Sequence, residues 1–298
     1  MRPLAVIGLV SLDRVDGGLP RLGGAPYYAA RALRLLAHPA VVVTKVAAED
    51  RDRGLHALGV PVVSRPAART ISFRIENERD GRRSLELEEL GEPWTVEEAR
   101  GWVAEALAHS DWVHAGALTR ADFPPAALAE LRRGRRLSLD GQALVRPARA
   151  GPVELDSDYD PAVLCHVDVL KLSQEEADAL GLELDERSLG SLGVREVVVT
   201  LGSKGCVVFA DGLAEYVRAR PLAVPDPTGA GDEFMAAYLS YRRRRHSAPG
   251  AARLASEVVH QLLTASAQSS LNSPRATTTA EPPTSTRSML SADPSTRA

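Results

Sequence analysis

The stretch DPTGAGDEF, residues 226–234, places two glycines before an acidic residue and runs directly into MAAYLSYRR, which has the composition of a helix. A helix N-terminus leaves backbone N–H groups without intrahelical acceptors and carries about half a positive charge. Gly229 and Gly231 keep bulky side chains away, so the N–H groups of residues 229–232 can surround a phosphoryl group. The sequence therefore predicts an anion site at the start of this helix.

Asp232 would lie beside the bound anion, where the two negative charges repel each other. Such an unfavourable placement suggests that the carboxylate has a function. The obvious use is to accept the proton of an attacking hydroxyl, which makes Asp232 the candidate general base. The reaction would then be phosphoryl transfer, in which positioning and charge stabilisation supply most of the acceleration. A purely structural reading stays open, because an acidic residue in the first turn of a helix is favourable by roughly 0.3–1 kcal/mol.

The composition is that of a globular protein with small-molecule partners. The chain has 298 residues, 44% of them hydrophobic and 25% charged, and a net charge of −3. It lacks the basic excess expected for binding nucleic acid or an anionic membrane. The run Arg242–Arg245 closes a helix, where cationic side chains complement the helix dipole and face solvent.

We expect a cytoplasmic location. Cys165 and Cys206 lie far apart in apolar runs, which favours two buried free thiols and a reducing compartment. No apolar stretch approaches the ~20 residues needed to span a bilayer. The first residues, MRPLAVIGLVSLD, become polar too early for a signal peptide.

Strands and helices alternate along the chain. PLAVIGLVSLD (3–13) is an apolar run expected of a central strand buried on both faces, and PYYAARALRLLA (26–37) has helical periodicity. The same alternation predicts helices at 51–59, 95–110, 124–134 and 173–181, and strands at 40–46, 60–64, 111–116, 135–141, 166–172 and 195–202. This pattern is typical of an α/β fold with a mostly parallel sheet covered on both sides by helices, which binds ligands at the carboxyl ends of its strands.

One segment breaks the alternation. In residues 68–89, Ile71, Phe73 and Ile75 alternate with polar residues, Asp80-Gly81 forms a turn signal, and a second alternating run follows. We expect a hairpin that forms a small lid over a ligand site, joined by residues 13–22. The alternative is an edge extension of the main sheet.

The sequence divides into a folded unit at residues 1–265 and a Ser/Thr/Pro/Ala-rich tail at residues 266–298. The tail has almost no apolar periodicity. It therefore has too little apolar surface to compensate for the entropy of ordering, and we expect it to be disordered.

Four motifs in order identify a family resemblance. Residues 226–234 resemble the D-[TP]-T-G-A-G-D-x-F signature of the ribokinase-like (PfkB-type) carbohydrate kinases. Gly23-Gly24-Ala25-Pro26 is similar to the G-G-A-P of fructokinase-type members. Residues 171–176 resemble K-x-N-x-x-E, and residues 199–205 resemble V-T-L-G-x-x-G. The resemblance covers residues 4–265.

This resemblance implies a three-layer α/β sandwich with a small β lid, ATP as the phosphoryl donor, and Mg²⁺. It implies that Asp232 is the base and that Gly229, Ala230 and Gly231 form the anion hole. The positions that it assigns to the acceptor are Asp13, Gly23, Gly24 and Tyr28. Those that it assigns to the nucleotide are Lys171, Ser173, Thr200, Gly202, Gly205, Gly229 and Gly231.

Metal positions also follow from the resemblance. Glu176 matches the acidic residue whose water shell helps hold Mg²⁺, and Asp226 and Thr228 lie where some members bind a monovalent cation such as K⁺. An alternative role for Glu176 is structural, because Ser173 and Glu176 have the spacing of a capping box. The segment around Gly202 and Gly205 is equally typical of a tight hairpin turn.

The chain departs from the family pattern at three places. Tyr28 replaces the Asn of GGAPxN, which changes the acceptor pocket, and Ser173 replaces the Asn of N-x-x-E. The last helix gives way to the tail where family members wall the adenine.

We therefore expect an ATP-dependent kinase that phosphorylates a hydroxyl of a sugar or sugar-like molecule, either as a monomer or as a homodimer. Two alternatives remain: a nucleoside kinase, with Tyr28 stacked on the base, and a sensor that keeps the fold but turns over weakly.

Overall fold

Side chains of the first strand, β1 (Leu4–Gly8), enter two different cores. Ala5 and Ile7 pack in one cluster, whereas Leu4 and Val6 pack in another. A strand buried on both faces needs helices on both sides of its sheet. The prediction of a central first strand is thus confirmed.

The structure is a computed structural model that describes residues 2–53, 55–77, 83–222 and 227–272. The remaining strands are β2 (Ser11–Val15), β3 (Arg21–Gly23), β4 (Ala40–Ala47), β5 (Val62–Ala67), β6 (Ser72–Asn77), β7 (Arg83–Glu89), β8 (Trp112–Gly116), β9 (Arg136–Asp140), β10 (Gly151–Pro152), β11 (Val169–Ser173), β12 (Glu196–Thr200), β13 (Gly205–Ala210) and β14 (Leu213–Arg218). The α-helices are α1 (Ala25–Leu35), α2 (Val96–Arg100), α3 (Trp102–Ala106), α4 (Pro125–Arg132), α5 (Gln142–Val145), α6 (Gln174–Ala179), α7 (Glu186–Gly190), α8 (Ala230–Arg243) and α9 (Ala248–Asn272).

Nine of the described strands form the main sheet, in the order β14-β13-β12-β11-β9-β8-β1-β4-β5. The pairs from β12 to β5 are parallel, and β13 and β14 are added antiparallel at one edge. Helices α1, α8 and α9 pack together with the core on one side, and α2, α3 and α4 lie on the other. The α/β three-layer sandwich with a mostly parallel sheet is therefore confirmed.

The lid is a separate five-stranded sheet in the order β10-β7-β6-β2-β3. Phe73, Ile75 and Leu87 are buried in the core cluster that the lid shares with the main body. The hairpin of β6 and β7 thus belongs to a second sheet and does not extend the edge of the main one. Its Asp80-Gly81 turn lies outside the described residues.

Three local predictions need correction. The segment 51–59 forms two short 3-10 helices, Ala48–Arg53 and Leu55–Leu58, in place of an α-helix. The helix predicted at 95–110 is interrupted at Gly101, whose φ and ψ of −92° and −117° are not helical. Cys206 is buried as expected, but Cys165 is exposed because it lies in a short surface 3-10 helix.

Helix α9 continues to Asn272, past the position where the sequence suggests that the tail begins. The residues just after 265 include Ala and Gln, which a helix already in progress accommodates at little cost. Residues 273–298 lie outside the described part of the chain. None of the described helices combines the length and apolarity needed to cross a bilayer.

A buried polar contact fixes α8 on the sheet. Glu196 of β12 accepts hydrogen bonds from the Tyr238 hydroxyl and, at 2.7 Å, from the Arg242 guanidinium. Tyr238 is fully buried, and both of these partners of Glu196 lie on α8. The helix that begins at Ala230 therefore has a defined position relative to the strand ends.

We expect Tyr238→Phe to lower the free energy of unfolding by about 1.5–3 kcal/mol, because a hydrogen bond to a buried charged group is lost. Tyr241→Phe, one helical turn further along, is the matched control and should change it by less than about 0.5 kcal/mol. Urea unfolding of both variants measures the difference. Equal effects of the two substitutions would show that the Tyr238–Glu196 contact does not hold the helix.

Candidate active site

The start of α8 has the geometry of an anion site. Gly229 caps the helix in the left-handed region, with φ of 80°, and its carbonyl accepts the first helical hydrogen bond, from Glu233 N at 2.9 Å. The Ala230 N–H donates to the Pro227 carbonyl at 3.1 Å and is used within the turn. Helical geometry then leaves the N–H groups of Gly231 and Asp232 for an anion. The predicted cradle of residues 229–232 therefore includes these two amides, whereas the Ala230 N–H is used within the turn.

Tyr28 of α1 rests on this turn. A β-carbon placed on Gly229 would lie 2.0 Å from Tyr28 Cδ1, so the ring contacts the glycine backbone directly. Tyr28 is buried, and its ring is edge-to-face with Tyr27, with centroids 5.1 Å apart. The structure therefore brings this predicted acceptor-side residue against the turn itself. Gly229 is required there both for its φ and for the close approach of the ring.

Lys171 lies beneath the same turn from β11. Its Nζ would be 3.1 Å from a β-carbon on Gly231, and it forms a buried ion pair with Asp140 Oδ2 at 3.2 Å. Asp140 ends the neighbouring strand β9, so two adjacent strand ends deliver the pair. The sequence analysis named Lys171 but missed Asp140. The only signal for Asp140 was an acidic residue at the end of a predicted strand.

Charges around Asp232 decide its protonation. The pKa of Asp232 is raised from its ordinary value to about 7. Burial is the largest cause; the carboxylates of Asp140, Glu233 and Glu176 act in the same direction, and Lys171 opposes them. An acid with this pKa can exchange a proton with a substrate near neutral pH.

Lys171 keeps its positive charge in this setting. Burial acts to lower the pKa of Lys171, but the carboxylates of Asp140, Glu176 and Asp232 outweigh burial and hold it above its ordinary value. A fixed cation thus lies directly below the two free amides of the anion site. Together they can stabilise the charge of a transferring phosphoryl group.

Glu176 is used structurally and still belongs to the charged cluster. Ser173 N donates to Glu176 Oε2 at 2.8 Å, and Glu176 N donates to Ser173 Oγ at 3.2 Å, so the capping box is confirmed. Burial also raises the pKa of Glu176. No group of three His, Cys, Asp or Glu side chains in the described ranges is arranged to hold a metal directly. The Glu176 carboxylate near the anion site instead fits Mg²⁺ that is held through water and the donor phosphates.

Arg146, just after α5, connects the cluster with the lid. Its guanidinium lies 5.6 Å from the centre of the Phe73 ring on β6, and its Nη1 donates to the Leu118 carbonyl at 3.2 Å. Its buried Nε finds no hydrogen-bond partner among the described residues. Burial lowers the pKa of Arg146, and nearby carboxylates, Glu176 foremost, act against that shift. Sequence analysis missed this residue, because nothing in the linear pattern places it under the lid.

Asp13 lies close to the two glycines at the end of β3, Gly23 and Gly24. Asp13 of β2 is 5% exposed, and a β-carbon on Gly23 would lie 2.0 Å from its Oδ2. Gly24, with φ of 81°, would place a β-carbon 2.5 Å from the Leu9 carbonyl. Gly23 therefore lets the chain approach Asp13, and Gly24 lets it approach the backbone at Leu9. Contact of Asp13, Gly23 and Gly24 with an acceptor stays a prediction.

A cleft of about 410 Å³ opens beside the anion site. Among its lining residues are four that the sequence assigned to the nucleotide: Thr200, Gly202, Gly205 and Gly231. Its far wall is one face of α9, made by Ser256, Val259, His260 and Leu263. The loop at Gly202–Lys204 is also the turn of an antiparallel hairpin between β12 and β13, so the alternative of a hairpin turn is confirmed, and contact with a nucleotide stays a prediction.

Ser173 and Thr228, predicted to bind the nucleotide and a monovalent cation, do not line this cleft. Ser173 caps α6, and Asp226 lies outside the described residues. Thr228 precedes the helix start but, without Asp226, a monovalent-cation site there remains a prediction.

Residues 11–273 match the family model described as pfkB family carbohydrate kinase. The match spans most of the chain, and its fold and motif positions agree with the structure. The chain belongs to the pfkB family of carbohydrate kinases.

Two curated relatives are kinases of different small molecules. An inositol 3-kinase from Zea mays is 35% identical over 112 residues, which cover 36% of this chain and 28% of that enzyme. A 2-dehydro-3-deoxygluconokinase from Escherichia coli K12 is 27% identical over 221 residues, covering 62% of this chain and 68% of the enzyme. The chain thus spans less than a third of the maize relative that it matches.

Solved structures give the same fold. A pyrophosphate-dependent kinase in the ribokinase family, complexed with a pyrophosphate analog and myo-inositol, has a TM-score of 0.74 and 27% identity over 88% of this chain and 95% of that one. A ribokinase from Arabidopsis thaliana, complexed with ribose and ATP, has a TM-score of 0.66 and 21% identity over 88% and 93%. The second likeness shows the fold alone.

We expect Asp232→Asn to stabilise the protein relative to the wild type as pH rises. The raised pKa means that folded Asp232 keeps its proton between about pH 4 and pH 7 while the unfolded chain releases it, so the wild type loses stability across that range. The variant cannot titrate there. Thermal unfolding from pH 4 to pH 8 should show a growing difference in Tm that levels off above pH 7. A constant difference would contradict the raised pKa.

Proposed function

We propose that this protein transfers the γ-phosphoryl group of ATP to a hydroxyl of a sugar-like acceptor, with Asp232 as the general base. The observation that carries the proposal is the convergence at one helix start of a carboxyl group of pKa about 7, the N–H groups of the first helical turn and the buried Lys171 cation. Each group answers one requirement of phosphoryl transfer: proton removal, binding of the anion and charge stabilisation.

The reaction then follows from the geometry. Asp232 takes the proton of the acceptor hydroxyl while that oxygen bonds to the γ-phosphorus, and the bond from this phosphorus to the bridging oxygen breaks to release ADP. The N–H groups of Gly231 and Asp232, with Lys171, hold the charge on the transferring oxygens. Mg²⁺ bound with the donor would neutralise phosphate charge, and Glu176 would hold part of its water shell.

We propose that the acceptor is a polyol or sugar acid with several hydroxyl groups. The relatives named for inositol and for 2-dehydro-3-deoxygluconate support this class. Asp13 can accept hydrogen bonds from hydroxyls, and the buried Arg146 Nε offers a donor that suits an acceptor oxygen or carboxylate. Arg146 therefore supplements the predicted acceptor residues.

The shape of the donor cleft favours ATP over pyrophosphate. Leu222, Phe234, Val259 and Leu263 give the cleft apolar surface beyond the phosphate site. An adenosine group gains free energy by covering such surface, whereas pyrophosphate has no apolar part to bury. We therefore propose that α9 walls the adenine in this chain, although its C-terminal end departs from the family pattern.

We further propose a cytoplasmic reaction, with a monovalent cation such as K⁺ near Thr228 and with the protein as a monomer or a homodimer. The ATP supply and the free Cys165 and Cys206 thiols are consistent with a reducing compartment.

A coupled ADP-release assay tests the acceptor class with inositols, 2-dehydro-3-deoxygluconate, pentoses and nucleosides. We expect turnover with a polyol or sugar acid, and a loss of 10²-fold or more in Asp232→Asn, the range typical of losing a general base. Phosphorylation of nucleosides alone would favour a nucleoside kinase. Thermal stabilisation by a ligand without transfer from any donor would favour a sensor.

Leu263→Gln tests the donor. We expect KM for ATP to rise about fivefold, because part of a leucine's burial free energy of about 1.5–3 kcal/mol is lost, while KM for the acceptor stays constant. Thr264→Ala, whose hydroxyl bonds the His260 carbonyl within the same helix, is the control. Efficient turnover with pyrophosphate, together with an unchanged KM for ATP in Leu263→Gln, would contradict the proposed donor.

A further inference from the structure

The residue after the base, Glu233, carries a buried carboxylate. Glu233 is fully buried on α8, and neither of its carboxylate oxygens accepts a hydrogen bond from the described residues. Burial raises the pKa of Glu233 to about 7, and the charge of Arg31 acts against that shift. A buried carboxylate is strongly unfavourable unless an opposite charge compensates it, so an acidic residue at this position needs a cationic partner.

Arg31 of α1 supplies the charge that faces Glu233. Its Nη1 lies 3.0 Å from Glu233 Oε1, and the side chain of Arg31 is 29% exposed, compared with 0% for Glu233. The pair therefore joins α1 to the first turn of α8, one residue from the base.

The same guanidinium reaches a third helix. Arg31 Nη2 donates to Ser266 Oγ of α9 at 2.6 Å. Ser266 is three residues after Leu263, which lies in the α9 wall of the donor cleft. Glu233 lies between Asp232, the proposed base, and Phe234, another cleft residue. The Arg31 side chain thus connects the start of α8 with α9, the two helices that line the cleft.

We propose that Arg31 is a positioning residue for the donor: by bridging Glu233 and Ser266, it fixes the anion-binding turn at the start of α8 relative to the α9 wall. This inference rests on the proposed function. ATP must contact the turn with its phosphates and α9 with its adenosine group, so its affinity depends on the spacing between them. The proposed acceptor residues Asp13 and Arg146 do not lie on α9, so we expect the affinity for the acceptor to be independent of that spacing.

The fork of an arginine is suited to this role. Its planar guanidinium offers N–H groups in fixed directions to two partners, whereas a lysine ammonium is a point charge on a flexible stem. Arg31→Lys keeps the charge opposite Glu233 and so avoids leaving a bare buried carboxylate. It is therefore the variant expected to fold normally while losing the bridge.

Donor and acceptor kinetics of Arg31→Lys, Ser266→Ala and the double variant test the proposal. We expect KM for ATP to rise about threefold to tenfold in Arg31→Lys, as for the loss of one hydrogen bond, with KM for the acceptor and kcat within about twofold of wild type. Ser266→Ala should act in the same direction. Because the two residues share one contact, the double variant should be no worse than Arg31→Lys alone. Thr264→Ala, on the same helix but bonded to His260, is the matched control.

Calorimetric titration of each variant with a non-hydrolysable ATP analogue gives a readout that does not depend on turnover. We expect the same rank order in Kd. Unchanged Kd and KM for the donor, additive effects in the double variant, or an equal rise in both KM values would overturn the inference while leaving a kinase activity intact. Absence of transfer in the wild type would instead refute the proposed function, and an unchanged Kd for the analogue would then still reject the role of Arg31.

Discussion

The site depends on the balance between one buried cation and the carboxylates that surround it. Lys171 pairs with Asp140 at 3.2 Å and lies directly under Gly231, while Asp232 stands at the helix start above it. Without Lys171, the carboxyl groups of Asp140, Glu176 and Asp232 would share a poorly solvated space. Their mutual repulsion would raise the pKa of each group further. With it, Asp232 is held at a pKa of about 7, and a positive charge remains for the phosphoryl oxygens. The balance both tunes the base and completes the anion site.

Much of the rest of the fold positions Lys171, Asp140 and the first turn of α8 relative to one another. The parallel strands β9 and β11 end side by side and deliver Asp140 and Lys171. Helix α8 is held on the sheet through Tyr238 and Glu196, which places its first turn close to those strands. Tyr28 packs on Gly229 from α1 and fixes the turn from the opposite side.

Sequence patterns identified the parts of the site that are local in the chain. The alternation of strands and helices gave the layered α/β fold, and the glycines before Asp232 gave the anion site, because both signals are carried by neighbouring residues. Asp140 and Arg146 were missed, since their importance arises only when distant strands and the lid come together. The extent of α9 was misjudged for a related reason: its Ser- and Ala-containing end has weak periodicity, yet the helix propagates from a well-packed start.

The edge strands of the lid sheet are short. Its outermost strands, β3 and β10, contain three and two residues, and its outward side chains include the ion pairs of Arg74 with Glu86 and Glu88. Such edges offer few unpaired amides and carbonyls to a foreign strand, and the charged surface resists stacking. A sheet built in this way can remain separate from neighbouring molecules at high protein concentration without a covering element, which protects the chain against strand-mediated aggregation.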